Sequence, residues 1–400
     1  MSVWDELVGQ DAVVGVLSGA AADARRVVEG AGAPGGHGPG ESAHGSMTHA
    51  WLITGPPGSG RSVAALAFAA ALQCTGDVPG CGECAGCRTT MARTNADVMV
   101  VATEASQIRV DAVRDIVQRA QVAPSQGRWR VVLVEDADRM NDFSANALLK
   151  AVEEPPERTV WLLCAPSPED MIATIRSRCR HLGLRIPPAR AVADLLVRRD
   201  GVDPTVALDA ARAAQSHIGL ARALARNPEM RERRRRIIEA PVEVRSVGEA
   251  VLAAQDLVDI AKAQTQAQTE ERDAEEKAQL LRQLGMAEGE RVSPQLRSQV
   301  RQLEEEQKRR AKRTMQDVLD RALVDLLAIY RDVLMVQLGT GQDLINVDLA
   351  PLVSSLAGES TPRQTMGRID AIELARHRLV ANVQPLLALE AMAVSLRPQA

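Results

Sequence analysis

A parallel α/β sheet in the first half of the chain, followed by helices alone, is the fold class this sequence predicts. Three observations predict it. Short apolar runs alternate with segments of helical period over residues 1–187. A glycine-rich turn, GPPGSGRS at 55–62, joins the first of those runs to an alanine-rich segment. From residue 188 strand signals almost stop, and one helical stretch follows another.

Taken in order, WDELVGQ at 4–10 leads into a first helix. Residues 30–46, GAGAPGGHGPGESAHGS, hold too much glycine and too few large side chains to pack, and a disordered loop is expected there. AWLIT (50–54), DVMVVAT (97–103), RVVLVED (130–136) and TVWLLCA (159–165) have the near-continuous apolar character of strands covered on both faces. Val110, Val113, Ile116 and Val117 recur at helical spacing between the second and third of these runs. In the helical half, residues 262–312 form a long charged helical insertion of mixed sign, read as a solvated helical hairpin. KRRAKR at 308–313 and RERRRR at 231–236 read as solvated helix faces, with a partner-facing or DNA-facing role as the competing reading.

Composition narrows the function classes. The chain has 400 residues, 46% of them hydrophobic, enough for two or three domains with cores of their own. No apolar run approaches membrane-spanning length, and the first ten residues lack the basic-then-apolar order of a signal peptide, so a cytoplasmic protein is expected. A formal net charge of −4, with 4 Trp, 1 Tyr and 2 Phe, offers neither global attraction to nucleic acid nor a base-stacking platform. Any DNA contact is expected to be local or shared with partners.

Gly55, Gly58, Gly60, Arg61 and Ser62 fill a phosphate-binding loop of the form G-x-x-x-x-G-K-[ST], except that arginine stands in the lysine place. Such a loop cradles phosphate with backbone N–H groups, the lysine reaches the terminal phosphates, and the hydroxyl ligates magnesium. A planar guanidinium does not replace a compact ammonium between phosphate oxygens. ATP with magnesium therefore stays an open cofactor assignment, and a turn kept for shape alone is the alternative.

Four of six cysteines crowd together: Cys74, Cys81, Cys84 and Cys87. Glycine-bearing turns of this spacing bring four thiolates around a tetrahedral ion, and structural zinc is the expectation. An iron–sulfur cluster is the rival, but the further cysteine with its following proline is missing downstream; a disulfide fits a reducing compartment least. Cys164 and Cys179 read as ordinary buried thiols.

WDELVGQ, HAWLITGPPGSGRS, the cysteine knuckle after the loop helix, NALLKAVEEPP at 146–156 and SRC at 177–179 stand in the order of one family. The chain resembles the bacterial DNA polymerase III clamp-loader subunits of the AAA+ class, the delta-prime members most closely. The specific motifs cover residues 1–230, and the helical remainder matches by architecture only. The resemblance implies a RecA-like AAA+ domain over 1–187, a small helical lid over 188–238 and an all-α collar domain over 239–400. It implies partners too: gamma/tau and delta subunits in a hetero-pentamer, the sliding clamp, and primed DNA through the complex.

Departures from the family's working ATPases count as much. Those carry Asp-Glu after the third strand, for magnesium's water shell and the attacking water; here the pair is Glu135-Asp136, each acid changed in length by one methylene. The sensor place falls on Ala165 or Pro166 rather than a polar residue. A lid arginine such as Arg222 is more readily a solvated face than a phosphate contact. In SRC the resemblance assigns Arg178 as an arginine finger acting on a neighbour's nucleotide, with Arg176 and Arg180 beside it. The function implied is a clamp-loader subunit without robust ATP hydrolysis of its own; an active gamma/tau-like motor is the alternative.

Overall fold

A computed structural model describes residues 2–30, 46–102, 107–242, 244–284 and 297–397. The expected glycine-rich loop lies outside the described residues, except for its ends Gly30 and Ser46, and so does the tip of the charged insertion. The described chain divides into two compact units, Met1–Ala225 and Arg226–Ala400.

The first unit begins with a 3-10 turn, Val3–Glu6, and continues through α1 (Asp11–Val28), β1 (Ala50–Thr54), α2 (Arg61–Leu72), α3 (Ala85–Met91), β2 (Val98–Val101) and α4 (Val110–Ala120). After these come β3 (Arg130–Val134), α5 (Asp142–Glu153), β4 (Thr159–Ala165), α6 (Ala173–Arg176), β5 (Arg180–Gly183), α7 (Ala189–Asp200), α8 (Pro204–Ala213) and α9 (Ile218–Arg226). All strand pairs are parallel, and the order across the sheet is β2-β3-β4-β1-β5. β1 and β4 pair in register from Ala50 with Trp161 to Thr54 with Ala165. Every residue of both strands is buried, which is why their sequences are continuous apolar runs rather than alternating ones.

Alternate side chains of the strands feed two cores. Trp51, Ile53, Val131, Leu133, Leu162 and Cys164 pack with α1 and α2 on one face; Leu52, Val132, Val134, Trp161 and Leu163 pack with α4 and α5 on the other. The alanines of α2, buried from Ala64 to Ala71, let that helix lie close to the sheet. This is the expected parallel α/β architecture, with the glycine-rich turn at the carboxyl end of a central strand, where open parallel sheets bind ligands.

The second unit holds α10 (Pro228–Val242), α11 (Val247–Gln283), α12 (Arg297–Leu338), α13 (Ala350–Glu359), α14 (Pro362–Val380) and α15 (Pro385–Leu396), and contains no strand among the described residues. Its core joins Leu257, Val258, Leu323, Leu326, Ile329, Tyr330, Ile372 and Leu389. α10 belongs to this unit because Ile237, Ile238 and Val242 enter the same core. The break at 225/226 precedes α10, and the 238/239 boundary expected from sequence lies within that helix. No helix of the described residues is long and apolar enough to cross a membrane.

Candidate functional site

The glycine turn leaves β1 under tight steric constraint. A Cβ on Gly55 would lie 2.5 Å from Ser59 Oγ and 2.9 Å from the Leu184 carbonyl oxygen, and one on Gly58 would lie 2.8 Å from His217 Cα. Gly60, at φ +91°, has open space around it and forms the N-cap of α2. Gly55 N–H donates to the Pro166 carbonyl at 3.2 Å, which ties the turn to the end of β4. Buried Gln10 holds it from the other side: its side-chain amide Nε2 donates to the Ser59 carbonyl at 3.5 Å and to the Arg185 carbonyl at 2.5 Å. The backbone N–H groups of the first turn of α2 are therefore presented beside Gly60, and Arg61 and Ser62 stand in that turn half-buried.

The acids expected opposite the turn are engaged by their own chain. Arg93, at the end of α3 in a left-handed backbone conformation (φ 58°), places Nη2 2.7 Å from Glu135 Oε1. Arg139 places Nη2 3.1 Å from Asp136 Oδ2. Neither arginine was singled out from sequence, because neither lies in a recognisable motif; each becomes adjacent only when β3 and the following turn are set in place. Nη1 of Arg61 is buried and without a hydrogen-bond partner, and so is Oδ1 of Asp138. Burial pushes the Asp138 carboxyl above its ordinary range, with Asp136 adding to the effect and Arg61 opposing it. Beneath them, burial pushes the Cys164 thiol up to about 12, so this cysteine is an inert part of the sheet. At the sensor place, Ala165 is buried and Pro166 offers only the carbonyl that Gly55 uses.

The structure separates the three arginines around SRC. Arg180 stacks 4.9 Å from the centroid of the Trp51 ring and donates to the Ser46 carbonyl, which makes it part of the wall of β1. Arg176 reaches the Pro168 carbonyl at 3.4 Å. Arg178 pairs with Glu153, donates from Nη1 to the Thr174 carbonyl at 2.8 Å, and keeps 39% of its side chain exposed. Arg222 pairs with Asp200 at 2.8 Å, and Arg199 lies on the same carboxylate at 3.1 Å.

The cysteine knuckle is compact. The Sγ atoms of Cys74, Cys81, Cys84 and Cys87 all lie within 4.8 Å of one another. Cys74 is 3.7 Å from Cys81 and 3.8 Å from Cys84, sulfur to sulfur. Four thiolates at the usual zinc–sulfur length on the corners of a tetrahedron stand about 3.8 Å apart, so the residues fit such an ion. Backbone N–H groups point at the sulfurs: Cys84 N to Cys81 Sγ, and Cys87 N and Thr75 N to Cys84 Sγ, each at 3.4 Å. For Cys84 burial works against the thiolate, but the N–H groups of Cys87 and Thr75 outweigh it and draw the thiol down to about 5. Cys87 is pushed far up by its deeper burial and by the neighbouring sulfurs. An uneven set of this kind is what a cation would level, and the cluster can take a metal ion.

Residues 40–188 match the family model described as "DNA polymerase III, delta subunit". The chain is 36% identical over 195 residues to DNA polymerase III subunit delta' of Pseudomonas aeruginosa, a match covering 48% of this chain and 60% of that protein. It is 37% identical over 157 residues to DNA polymerase III subunit gamma/tau of Mycobacterium bovis, covering 38% of this chain and 27% of that one. Among solved structures, a gamma subunit-related protein from Thermotoga maritima aligns over 87% of this chain and 93% of its own, with TM-score 0.42 and 17% identity. The chain thus spans less than two thirds of the curated relatives it matches.

Proposed function

We propose that this chain is a delta-prime-type subunit of the DNA polymerase III clamp loader, a reading supported by the family match over residues 40–188 and by the similarity to delta' relatives. In this reading it assembles with gamma/tau-type and delta-type subunits and helps an ATP-driven loader place the sliding clamp on primed DNA. It does not turn over ATP robustly itself. Zinc, held by Cys74, Cys81, Cys84 and Cys87, fixes the knuckle as a structural ion.

One observation carries the reading: both acids after β3 are held by arginines of the same chain, Glu135 by Arg93 and Asp136 by Arg139. A hydrolytic site needs one carboxylate for magnesium's water shell and another for the attacking water, positioned to within about 1 Å. Acids of interchanged length, already neutralised by guanidinium groups, supply neither. Arg61 adds a third cation at the place where a compact ammonium would sit. What the subunit offers instead is Arg178, on the loop before β5, whose half-exposed partner Glu153 a phosphate can replace at little cost.

The isolated chain is expected to hydrolyse ATP no faster than its Gly60→Val variant, and Arg61→Lys is expected not to create turnover. In a reconstituted loader, Arg178→Ala should leave assembly and metal content unchanged while clearly lowering ATPase stimulated by clamp and DNA. The drop should fall short of the roughly 10³–10⁵ that a finger arginine contributes at a single site, because only one interface of several is affected. Arg176→Ala should be much milder. Robust ATPase by the isolated chain would replace this reading with the gamma/tau-like motor, to which its identity is as high.

A further inference from the structure

The loop between Cys74 and Cys81 is bonded to the beginning of the chain. Val3 N–H donates to the Gly80 carbonyl at 3.0 Å, Ser2 Oγ donates to the same carbonyl at 3.0 Å, and Trp4 Nε1 donates to the Pro79 carbonyl at 3.3 Å. Gly80 lies at φ +87°, and a Cβ there would sit 2.7 Å from Trp4 Nε1 and 2.8 Å from Val3 Cγ2, so only glycine lets the two strands of chain meet. Behind this contact, Arg25 of α1 donates to the carbonyls of Asp77 at 2.8 Å and Cys74 at 3.0 Å. Val3 and Leu7 are buried in the same core as Cys74 and Cys87, and Trp4 packs against it.

The accepting carbonyls belong to a short loop with little hydrophobic support of its own; Val78, its largest apolar side chain, is 68% exposed. Its shape is set chiefly by four sulfurs that must converge, with Gly80 and Gly82 both at positive φ. We propose that the metal held by these cysteines latches the chain's own N-terminal segment, Ser2–Trp4, so that docking of the segment and occupancy of the metal site stabilise each other. A metal ion converts the loop from one of many conformers to the one that presents Pro79 and Gly80 to Val3 and Trp4. Linkage requires the converse: a docked segment must tighten the metal site by the same factor.

The inference rests on the zinc reading of the cysteines, and the test separates the two. Metal content of the purified full chain is measured first; a wild-type chain that takes up no zinc defeats the zinc reading and the latch with it. With zinc bound, competition against a chromophoric chelator should show affinity falling about 5-fold or more in both Trp4→Ala and Gly80→Ala; Trp4→Ala is the decisive one, because Gly80 precedes Cys81 and its N–H faces the Cys74 sulfur, whereas Trp4 neighbours no ligand in sequence. Trp51, Trp129 and Trp161 are buried, so the emission difference between wild type and Trp4→Phe isolates Trp4. That difference should shift to the red when zinc is stripped and return when zinc is restored. Far-ultraviolet circular dichroism checks that the variants remain folded, and the stripping experiment on the wild-type chain stands without them. Unchanged zinc affinity in Trp4→Ala, or a Trp4 signal indifferent to zinc, would overturn the latch while leaving the zinc reading intact.

Discussion

Asp97 shows what a single carboxylate does in this chain. Its side chain is fully buried, yet its two oxygens accept from Ser125 N–H at 2.7 Å, Gln126 N–H at 2.8 Å, and Gly127 N–H, with Arg130 Nη1 3.3 Å away. Burial alone would raise this carboxyl; the three N–H donors more than offset it and hold it below the ordinary range. Asp97→Asn keeps the size but loses the charge, and should cost about 2–4 kcal/mol in urea unfolding near neutral pH. Because the folded-state value is depressed, the contribution is complete above the ordinary carboxylate value of about 4 and fades as pH falls through the folded one. The gap between variant and wild type should therefore close below about pH 4. Nothing in the sequence marks Asp97, which reads there as the polar start of a strand. Arg93 and Arg139 were equally illegible. The four cysteines and the glycine turn were legible because their chemistry depends on local spacing, whereas these three residues act through partners brought to them by the fold.

At the scale of elements, strands and helices with strong periodicity could be read from sequence, and elements defined by their neighbours could not. AWLIT and TVWLLCA are β1 and β4 to the residue, because fully buried strands leave no polar interruption. β5, Arg180–Gly183, went unseen: it is four residues long, alternates between half-buried and exposed, and exists because it pairs with β1 at the edge of the sheet. α10 shows the same limit in another form. RERRRR reads as a solvated face, yet Arg234 is buried, with Nε 3.3 Å from Asp325 Oδ1 and Nη2 2.6 Å from Asn346 Oδ1. α3 tests how closely elements fit. A Cβ on Gly86 would lie 2.1 Å from the Gln73 carbonyl oxygen at the end of α2, a backbone atom that cannot turn aside. Gly86→Ala should destabilise the first unit by about 2–4 kcal/mol in denaturant unfolding, even with all four cysteines in place.

At the scale of the molecule, charge is balanced overall and unevenly used. The sequence reads 262–312 as a charged helical insertion; in the structure α11 and α12 carry its described part, and their seam changes character along its length. Near the core the two helices meet through Leu257, Val258 and Ala261 with Leu319, Leu323 and Leu326. Further out they meet through ion pairs: Arg310 with Asp273 and Glu276, then Lys277 with Glu304 at 2.7 Å. Half-exposed pairs of the last kind contribute only about 0–1 kcal/mol each, whereas the apolar layers share the cooperative stability of the unit. Backbone amides along the hairpin should therefore exchange with deuterium on a graded clock. Those near Leu323 should open only with the whole unit, and those near Glu304 should exchange many times faster through local opening. Added salt should speed the outer amides and leave the inner ones unmoved. The two helices would then serve as a calibrated record of where an apolar seam gives way to an ionic one, read residue by residue in a mass spectrometer.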